Sequence, residues 1–142
     1  MKKEDLMIGD WVNIQPEKDD EPMYSQVEQL WECEIDADFE TDYENVYPIE
    51  LTYDILERNF GKSVNKLNID PNYLIYPKNK CMIGVQLRPS PDCRKSIQVY
   101  NYETNRGIKY ECTRPDDIET PFYVHELQHI LKQCGIKEEI IL

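Results

Sequence analysis

Acidic and non-acidic residues alternate along positions 32–44 of the chain. An acid occupies every even position of this stretch: Glu32, Glu34, Asp36, Asp38, Glu40, Asp42 and Glu44. The odd positions are mainly apolar, as at Ile35, Ala37 and Phe39. A period of two places alternate residues on opposite faces of an extended strand. The pattern therefore predicts a strand with one face packed inward and a row of carboxylates in water on the other.

Two helices are predicted from apolar spacing and from the residues at their ends. The first begins after Thr52, a candidate N-cap, and ends at Gly61. The second follows Thr120, with Pro121 at its first position, and ends at Gly135. Its apolar stripe repeats at i, i+3, i+7 and i+10 and consists of Val124, Leu127, Leu131 and Cys134. We therefore expect a short middle helix and a longer C-terminal helix.

The remaining apolar runs predict strands. A turn at Gly9 and Asp10 leads into Trp11 and Val12, a typical strand start. Residues 96–102 and 108–112 alternate on either side of a turn, as the arms of a β-hairpin do. Residues 138–142 are expected to add a final strand. We predict a single α+β domain over residues 1–142, mostly antiparallel sheet, with an SH3-like curled sheet at the N-terminus.

The chain is acidic, and its charge is unevenly distributed. Its 142 residues include 16 Lys and Arg against 28 Asp and Glu, a net charge of −12. Residues 1–60 hold 18 acidic and 4 basic residues, a net charge of −14, whereas residues 61–142 hold 10 acidic and 12 basic residues, a net charge of +2. Such a charge disfavours nucleic acid and anionic membranes as partners.

The sequence predicts neither export nor membrane insertion. It has no apolar run of about 18 residues, and its first residues contain no apolar core of a secretory signal. The five cysteines are odd in number and show no C-x-x-C spacing. Reduced thiols in a cytoplasmic protein are therefore expected. No cofactor is expected, and the sequence carries no indication of oligomeric state.

The acidic row is the leading candidate for a binding surface. We predict a non-enzymatic interaction module that presents this row to a basic protein partner. The residues proposed for the contact are Glu32, Glu34, Asp36 and Asp38. Calcium binding is a weaker hypothesis, because an EF-hand loop counted from Asp36 needs glycine at position 41 and glutamate at position 47. The chain has Thr41 and Tyr47 there, so the alternative to a docking face is an ordinary solvated strand.

One enzyme-like motif lies in the C-terminal helix. His125, Glu126 and His129 match H-E-x-x-H, in which two histidines one turn apart bind zinc and the glutamate activates water. A zinc-dependent peptidase is therefore an alternative function. Against it, no third ligand follows at a familiar spacing, and helix geometry turns both histidines away from the apolar stripe. We predict largely solvent-accessible imidazoles and no catalytic zinc site.

The predicted hairpin combines tyrosines with basic residues. Tyr100 and Tyr102 fall on one face of a strand, and Tyr110 is expected across from them. The basic residues nearby in sequence are Arg88, Arg94, Lys95, Arg106, Lys109 and Arg114. Aromatic and basic side chains on a sheet can stack single-stranded nucleic acid, so a weak binder of this kind is a second alternative. Tyrosine is also an ordinary cross-strand residue, and the net charge opposes nucleic acid.

Three stretches resemble a group of short uncharacterised proteins from anaerobic gut bacteria and their phages or mobile elements. They are residues 6–12 (LMIGDWV), residues 48–52 (PIELT) with Ile55 and Leu56, and residues 123–128 (YVHELQ). In that group the last stretch often lacks the glutamate and the second histidine, which here are Glu126 and His129. The resemblance implies no activity. It implies a small cytoplasmic accessory protein and weakens the zinc hypothesis.

Overall fold

A computed structural model describes residues 1–15, 20–31, 34–37, 39–65, 72–78, 80–89, 94–111 and 121–142. These ranges contain ten strands in antiparallel sheets and two α-helices. The α+β class is therefore confirmed, whereas an SH3-like arrangement of the N-terminal strands is not confirmed. No helix in these ranges is both long enough and apolar enough to cross a membrane.

The chain divides into two units. Unit 1 comprises Met1–Glu50 and Tyr123–Glu126, and unit 2 comprises Leu51–Phe122 and Leu127–Leu142. The chain thus leaves unit 1 after Glu50, returns to it for Tyr123–Glu126, and ends in unit 2. The sequence-based expectation of one domain over residues 1–142 stays a prediction.

The described part of unit 1 contains six short strands in two sheets. They are β1 (Trp11–Ile14), β2 (Met23–Gln26), β3 (Gln29–Leu30), β4 (Glu34–Ala37), β5 (Phe39–Asp42) and β6 (Val46–Pro48). One sheet has the order β2-β1-β6, and the other has the order β3-β4-β5. Both sheets supply buried residues to one cluster, which consists of Leu6, Val12, Ile14, Val27, Ile35, Ala37 and Val46.

The turn predicted before β1 is confirmed. Gly9 has φ +92°, a left-handed conformation that glycine adopts without steric strain. The Asp10 carboxylate accepts a hydrogen bond from the Met7 amide at 2.7 Å, which closes the turn. Strand β1 then alternates half-buried and buried residues, so one of its faces packs inward.

The long strand predicted over residues 32–44 is instead a hairpin, which corrects the sequence prediction. Strands β4 and β5 are antiparallel, and the chain reverses between Ala37 and Phe39. The reversal contains no glycine, proline or asparagine, and the aspartate at position 38 continues the acidic alternation, so the pattern did not predict a turn there. The reversal pairs even positions with even positions and odd with odd, and the predicted alternation survives it. Ile35 and Ala37 are fully buried, as expected for odd positions.

The same register brings acidic positions opposite one another. Glu34 pairs with Asp42, and Asp36 pairs with Glu40. Like charges directly opposite one another destabilise a sheet by a few tenths of a kcal/mol or more. Asp42 is exposed and Asp36 is half-buried, and neither forms an ion pair with a described residue. From this register we expect a small electrostatic cost in the hairpin.

Unit 2 is built around a four-stranded antiparallel sheet. Its elements are α1 (Tyr53–Phe60), β7 (Tyr73–Lys78), β8 (Cys81–Gln86), β9 (Ser96–Asn101) and β10 (Arg106–Glu111), followed by most of α2 (Val124–Gln133). The strand order is β10-β9-β8-β7, so the predicted hairpin is confirmed as β9 and β10. In register, Ile83 faces Val99 and Val85 faces Ile97, and all four are fully buried.

Helix α1 forms as its sequence predicts. The Thr52 hydroxyl accepts a hydrogen bond from the Ile55 amide at 3.3 Å and caps the first turn. Leu56 and Phe60 are buried and face the core. Gly61 follows the last turn at φ +81°, which ends the helix. Every signal that defines this helix lies within ten residues of sequence.

Helix α2 begins at Val124, three residues later than predicted. The segment before it is extended, because residues 49–51 and 122–124 pair antiparallel. The Leu51 amide donates to the Phe122 carbonyl and the Val124 amide donates to the Ile49 carbonyl, both at 2.8 Å. Thr120, the predicted cap, lies outside the described residues. The final strand predicted at 138–142 is also wrong, since residues 136–142 form neither strand nor helix.

Replacing Asp42 by lysine should stabilise the hairpin. Asp42→Lys converts a like-charge position opposite Glu34 into an opposite-charge one. Glu44→Lys makes the same change in net charge outside the strand pair, and Glu44 is also exposed. We expect the free energy of unfolding of Asp42→Lys to exceed that of Glu44→Lys by about 0.5 kcal/mol in urea titrations at low salt. Equal stabilities for the two variants would contradict the register argument.

Candidate functional site

The proposed acidic face is partly defined by the described residues. Asp36 lies in β4 and is half-buried, and the backbone of Glu34 begins the same strand. Glu32 and Asp38 lie outside the described residues. Asp42 and Glu44, which continue the same row, are exposed. The hairpin thus divides Glu34, Asp36, Glu40 and Asp42 between two neighbouring strands.

The charge asymmetry coincides with the division of the chain into units. Unit 1 contains 17 acidic and 3 basic residues, a net charge of −14. Unit 2 contains 11 acidic and 13 basic residues, a net charge of +2. Unit 1 includes no arginine. A surface so poor in bases leaves its carboxylates largely uncompensated within the unit.

The glutamate of the H-E-x-x-H motif has a structural role. Tyr123 is the residue before α2, and its amide donates a hydrogen bond to Oε2 of Glu126 at 2.9 Å. This is the glutamate half of a capping box, which satisfies an amide that the helix itself leaves unpaired. Burial raises the pKa of Tyr123, and the carboxylates of Glu126 and Glu50 raise it further. As a general base, Glu126 would have to give up its cap.

The prediction that both imidazoles are largely exposed is wrong for His125. This side chain is 6% exposed, and its ring stacks on Tyr123 with centroids 5.8 Å apart and planes at 12°. A helical wheel assumes that a helix is buried on one stripe. Here the first turn, Val124–Glu126, belongs to unit 1, whereas the buried Leu127 belongs to unit 2. A single buried stripe therefore does not describe the whole of α2, because its second residue, His125, is also buried.

The described residues do not complete a zinc site around the motif. His129 is half-buried one turn after His125. Among the described residues, no group of three His, Cys, Asp or Glu side chains is arranged to hold a metal ion. The expectation of no catalytic zinc stays a prediction, because a catalytic site needs a third protein ligand and only the described part of the chain bears on it.

The tyrosines of the β9–β10 hairpin are arranged differently from the sequence prediction. Tyr110 pairs with Ile97, and it is Gly107 that lies opposite Tyr100. A Cβ atom at position 107 would come within 2.9 Å of Cδ2 of Tyr100, so glycine makes room for that ring. Tyr100 and Tyr102 form an edge-to-face pair with centroids 5.1 Å apart. The aromatic pair is real, but it does not extend to the third tyrosine.

Sequence reasoning missed a polar cluster in unit 2. Asn59, Lys78 and Glu138 come together there. Asn59 also forms a hydrogen bond with the backbone of Ile141, 82 positions further along the chain. A cleft of about 700 Å³ adjoins the cluster and is lined in part by Lys78, Cys81 and Glu138. Burial raises the pKa of the Cys81 thiol, Glu138 raises it further and Lys78 lowers it. No local pattern signals a contact of such long range.

Comparisons of the chain with protein-family models, with curated proteins and with solved structures find no match.

The two histidines should differ in their effect on stability. His125→Ala removes a buried, stacked ring and should lower the free energy of unfolding by about 1–3 kcal/mol. His129→Ala removes a half-buried ring from the same helix and should change it by about 0.5 kcal/mol or less. Urea denaturation followed by circular dichroism measures both. Equal, small changes in the free energy of unfolding for both variants would contradict the burial of His125 and favour the solvent-facing position that the helical wheel predicts.

A capping role for Glu126 predicts that glutamine can replace it. Glu126→Gln keeps an oxygen that accepts the hydrogen bond from the Tyr123 amide. It should leave the free energy of unfolding within about 0.5 kcal/mol of the wild-type value. Glu126→Ala removes the acceptor and should cost about 1 kcal/mol. Elemental analysis of the untagged protein provides the control for the alternative role. One zinc per chain, lost on His129→Ala, would favour the peptidase instead.

Proposed function

We propose that this chain is a non-enzymatic accessory protein whose unit 1 binds a basic protein partner through the carboxylates of residues 32–44. The observation that carries the proposal is the register of β4 and β5, which sets Glu34 opposite Asp42 and Asp36 opposite Glu40. A fold selected only for stability gains nothing from such pairs. A cationic partner would be attracted by the same paired carboxylates, which would then favour binding.

The charge of unit 1 supports this proposal. With 17 acidic and 3 basic residues, the unit has few internal cations that compete for its carboxylates. A concentrated negative field speeds encounter with a basic surface and rejects acidic ones. By linkage, a partner that neutralises the hairpin also stabilises it, because the like-charge repulsion disappears on binding.

A protein partner suits the acidic face better than a metal ion or a nucleic acid. The calcium-loop pattern is broken at Thr41 and Tyr47. Nucleic acid has the same sign of charge as unit 1, so its phosphates would be repelled. Lysine and arginine side chains of a protein are the natural complement.

A cytoplasmic location forms part of the proposal. It is supported by the cysteines, because Cys81 and Cys134 are free and buried. Reduced thiols persist in the cytoplasm, where glutathione and thioredoxin keep them so. Neither residue contributes to the acidic face.

Charge reversal of the acidic face should abolish partner binding. The test variant replaces four acids by lysine: Glu32, Glu34, Asp36 and Asp38. Proteins retained by the immobilised variant and by wild type are compared at about 50 mM and about 300 mM salt, since salt screens exposed charges. We expect a basic partner that is retained by wild type at low salt, released at high salt and not retained by the variant.

A second variant with the same net charge provides the control. It reverses four exposed acids outside the face: Glu4, Asp5, Glu21 and Glu111. This control should retain the partner, which separates the effect of the face from the effect of overall charge. Partners that are insensitive both to salt and to reversal of the acidic face would remove the proposed function.

A further inference from the structure

Residues 136–142 lie in unit 2 as a segment without helix or strand, and a side-chain amide binds their backbone. Nδ2 of Asn59 donates to the carbonyl of Ile141 at 2.9 Å, and Oδ1 of Asn59 accepts from the amide of Ile141 at 2.7 Å. Asn59 thus offers the segment the donor and acceptor that a neighbouring strand would offer. Such a contact recognises an extended backbone whatever its side chains.

Two side chains of the segment add sequence preference. Oε2 of Glu138 lies 3.0 Å from Nζ of Lys78, an ion pair that is about two-thirds removed from solvent. Ile140 is 2% exposed, whereas the adjacent Ile141 is 67% exposed. Together these contacts select an acidic residue two positions before a buried aliphatic one.

The residues that receive the segment are also held in place by contacts of their own. Nζ of Lys78 donates to the Asn59 carbonyl at 2.9 Å and lies 5.6 Å from the centroid of the Phe60 ring. Nδ2 of Asn59 also donates to the carbonyl of Ile55 at 2.9 Å, one turn earlier in α1. The receiving groups therefore have partners in α1 and β7 besides the segment, and a preorganised site loses less entropy on binding.

The segment can leave without breaking a regular element. Helix α2 is closed before the segment begins, because Gly135 adopts φ +71° and the Ile136 amide donates to the Leu131 carbonyl at 2.9 Å. This is a Schellman closure, complete without residues 137–142. Segments held by a few side-chain contacts open at lower free energy than strands or helices do.

We propose that the surface of Asn59 and Lys78 that holds residues 138–141, called the groove below, binds an extended peptide of a partner protein. This peptide carries an acidic residue two positions before a branched aliphatic residue. Residues 137–142 of the chain are its resident occupant, tethered at an effective concentration in the millimolar range. A partner peptide takes their place by making the same contacts. This surface lies in unit 2 and is independent of the acidic face.

The test removes the resident occupant while the groove stays intact. In the full chain, Ile140→Asp disfavours burial of the segment, and circular dichroism checks the fold. The probe is a fluorescent peptide of sequence Lys-Glu-Glu-Ile-Ile-Leu, followed by anisotropy. It should bind Ile140→Asp about tenfold more tightly than wild type, because the groove is no longer occupied. Ile141→Asp, at the exposed neighbouring position, should bind it like wild type.

Two further measurements keep the proposal falsifiable. Glu138→Lys places a lysine against Lys78 and should release the segment while leaving the buried Ile140 unchanged. This variant replaces Ile140→Asp in the test if Ile140→Asp does not fold. Release should also speed alkylation of Cys81, which lines the adjoining cleft with Glu138, and leave Cys134 unchanged as an internal control. The peptide should not bind the double variant Ile140→Asp/Asn59→Ala, because that variant lacks the side-chain amide that bonds to the peptide backbone.

Several outcomes would overturn the proposal. One is a folded Ile140→Asp or Glu138→Lys variant that binds the peptide no better than wild type. A second is equal binding of a peptide in which aspartate replaces the first isoleucine. A third is a wild-type dimer that dissociates on Ile140→Asp, which would assign the groove to a second copy of this chain.

Discussion

A short antiparallel pairing of residues 49–51 with residues 122–124 determines where helix α2 begins, and so where the side chains of the H-E-x-x-H motif lie in that helix. Its two 2.8 Å hydrogen bonds keep Phe122 and Tyr123 extended, so α2 begins at Val124. That starting point places Glu126 at the third helical position, where its carboxylate caps the Tyr123 amide. A motif that looks catalytic in sequence therefore begins a helix, with its glutamate engaged in holding the first turn together.

The distribution of charge is the second constraint on function. Unit 1 has a net charge of −14 and unit 2 a net charge of +2, and the division by charge follows the division by structure. Within unit 1 the β4–β5 hairpin adds like-charge cross-strand pairs to this imbalance. The stability lost to repulsion is small beside the core of Ile35, Ala37 and their neighbours, so the fold tolerates it. The resulting excess of carboxylates in unit 1 is the feature on which the proposal of a basic partner depends.

Local patterns predicted those parts of the structure whose causes are local. Helix α1 is confirmed from Thr52 to Gly61, because its cap, its buried face and its terminating glycine are close in sequence. The β9–β10 hairpin is confirmed for the same reason. The alternation over residues 32–44 correctly predicted that Ile35 and Ala37 are buried, but its attribution to a single strand was wrong. The chain reversal between Ala37 and Phe39 was not predicted. The reversal pairs even-numbered positions with even-numbered ones, so it leaves the alternation along the sequence unchanged.

The sequence by itself therefore determined the α+β class, the alternating faces, the short helix and the uneven charge. Each of these follows from neighbouring residues and from composition. Tertiary structure alone decided where α2 begins, that His125 is buried on Tyr123, and that Asn59 holds Ile141. These outcomes depend on backbone and side-chain groups that meet only after the chain has folded. A hydrogen bond between residues 82 positions apart leaves no trace in the spacing of either one.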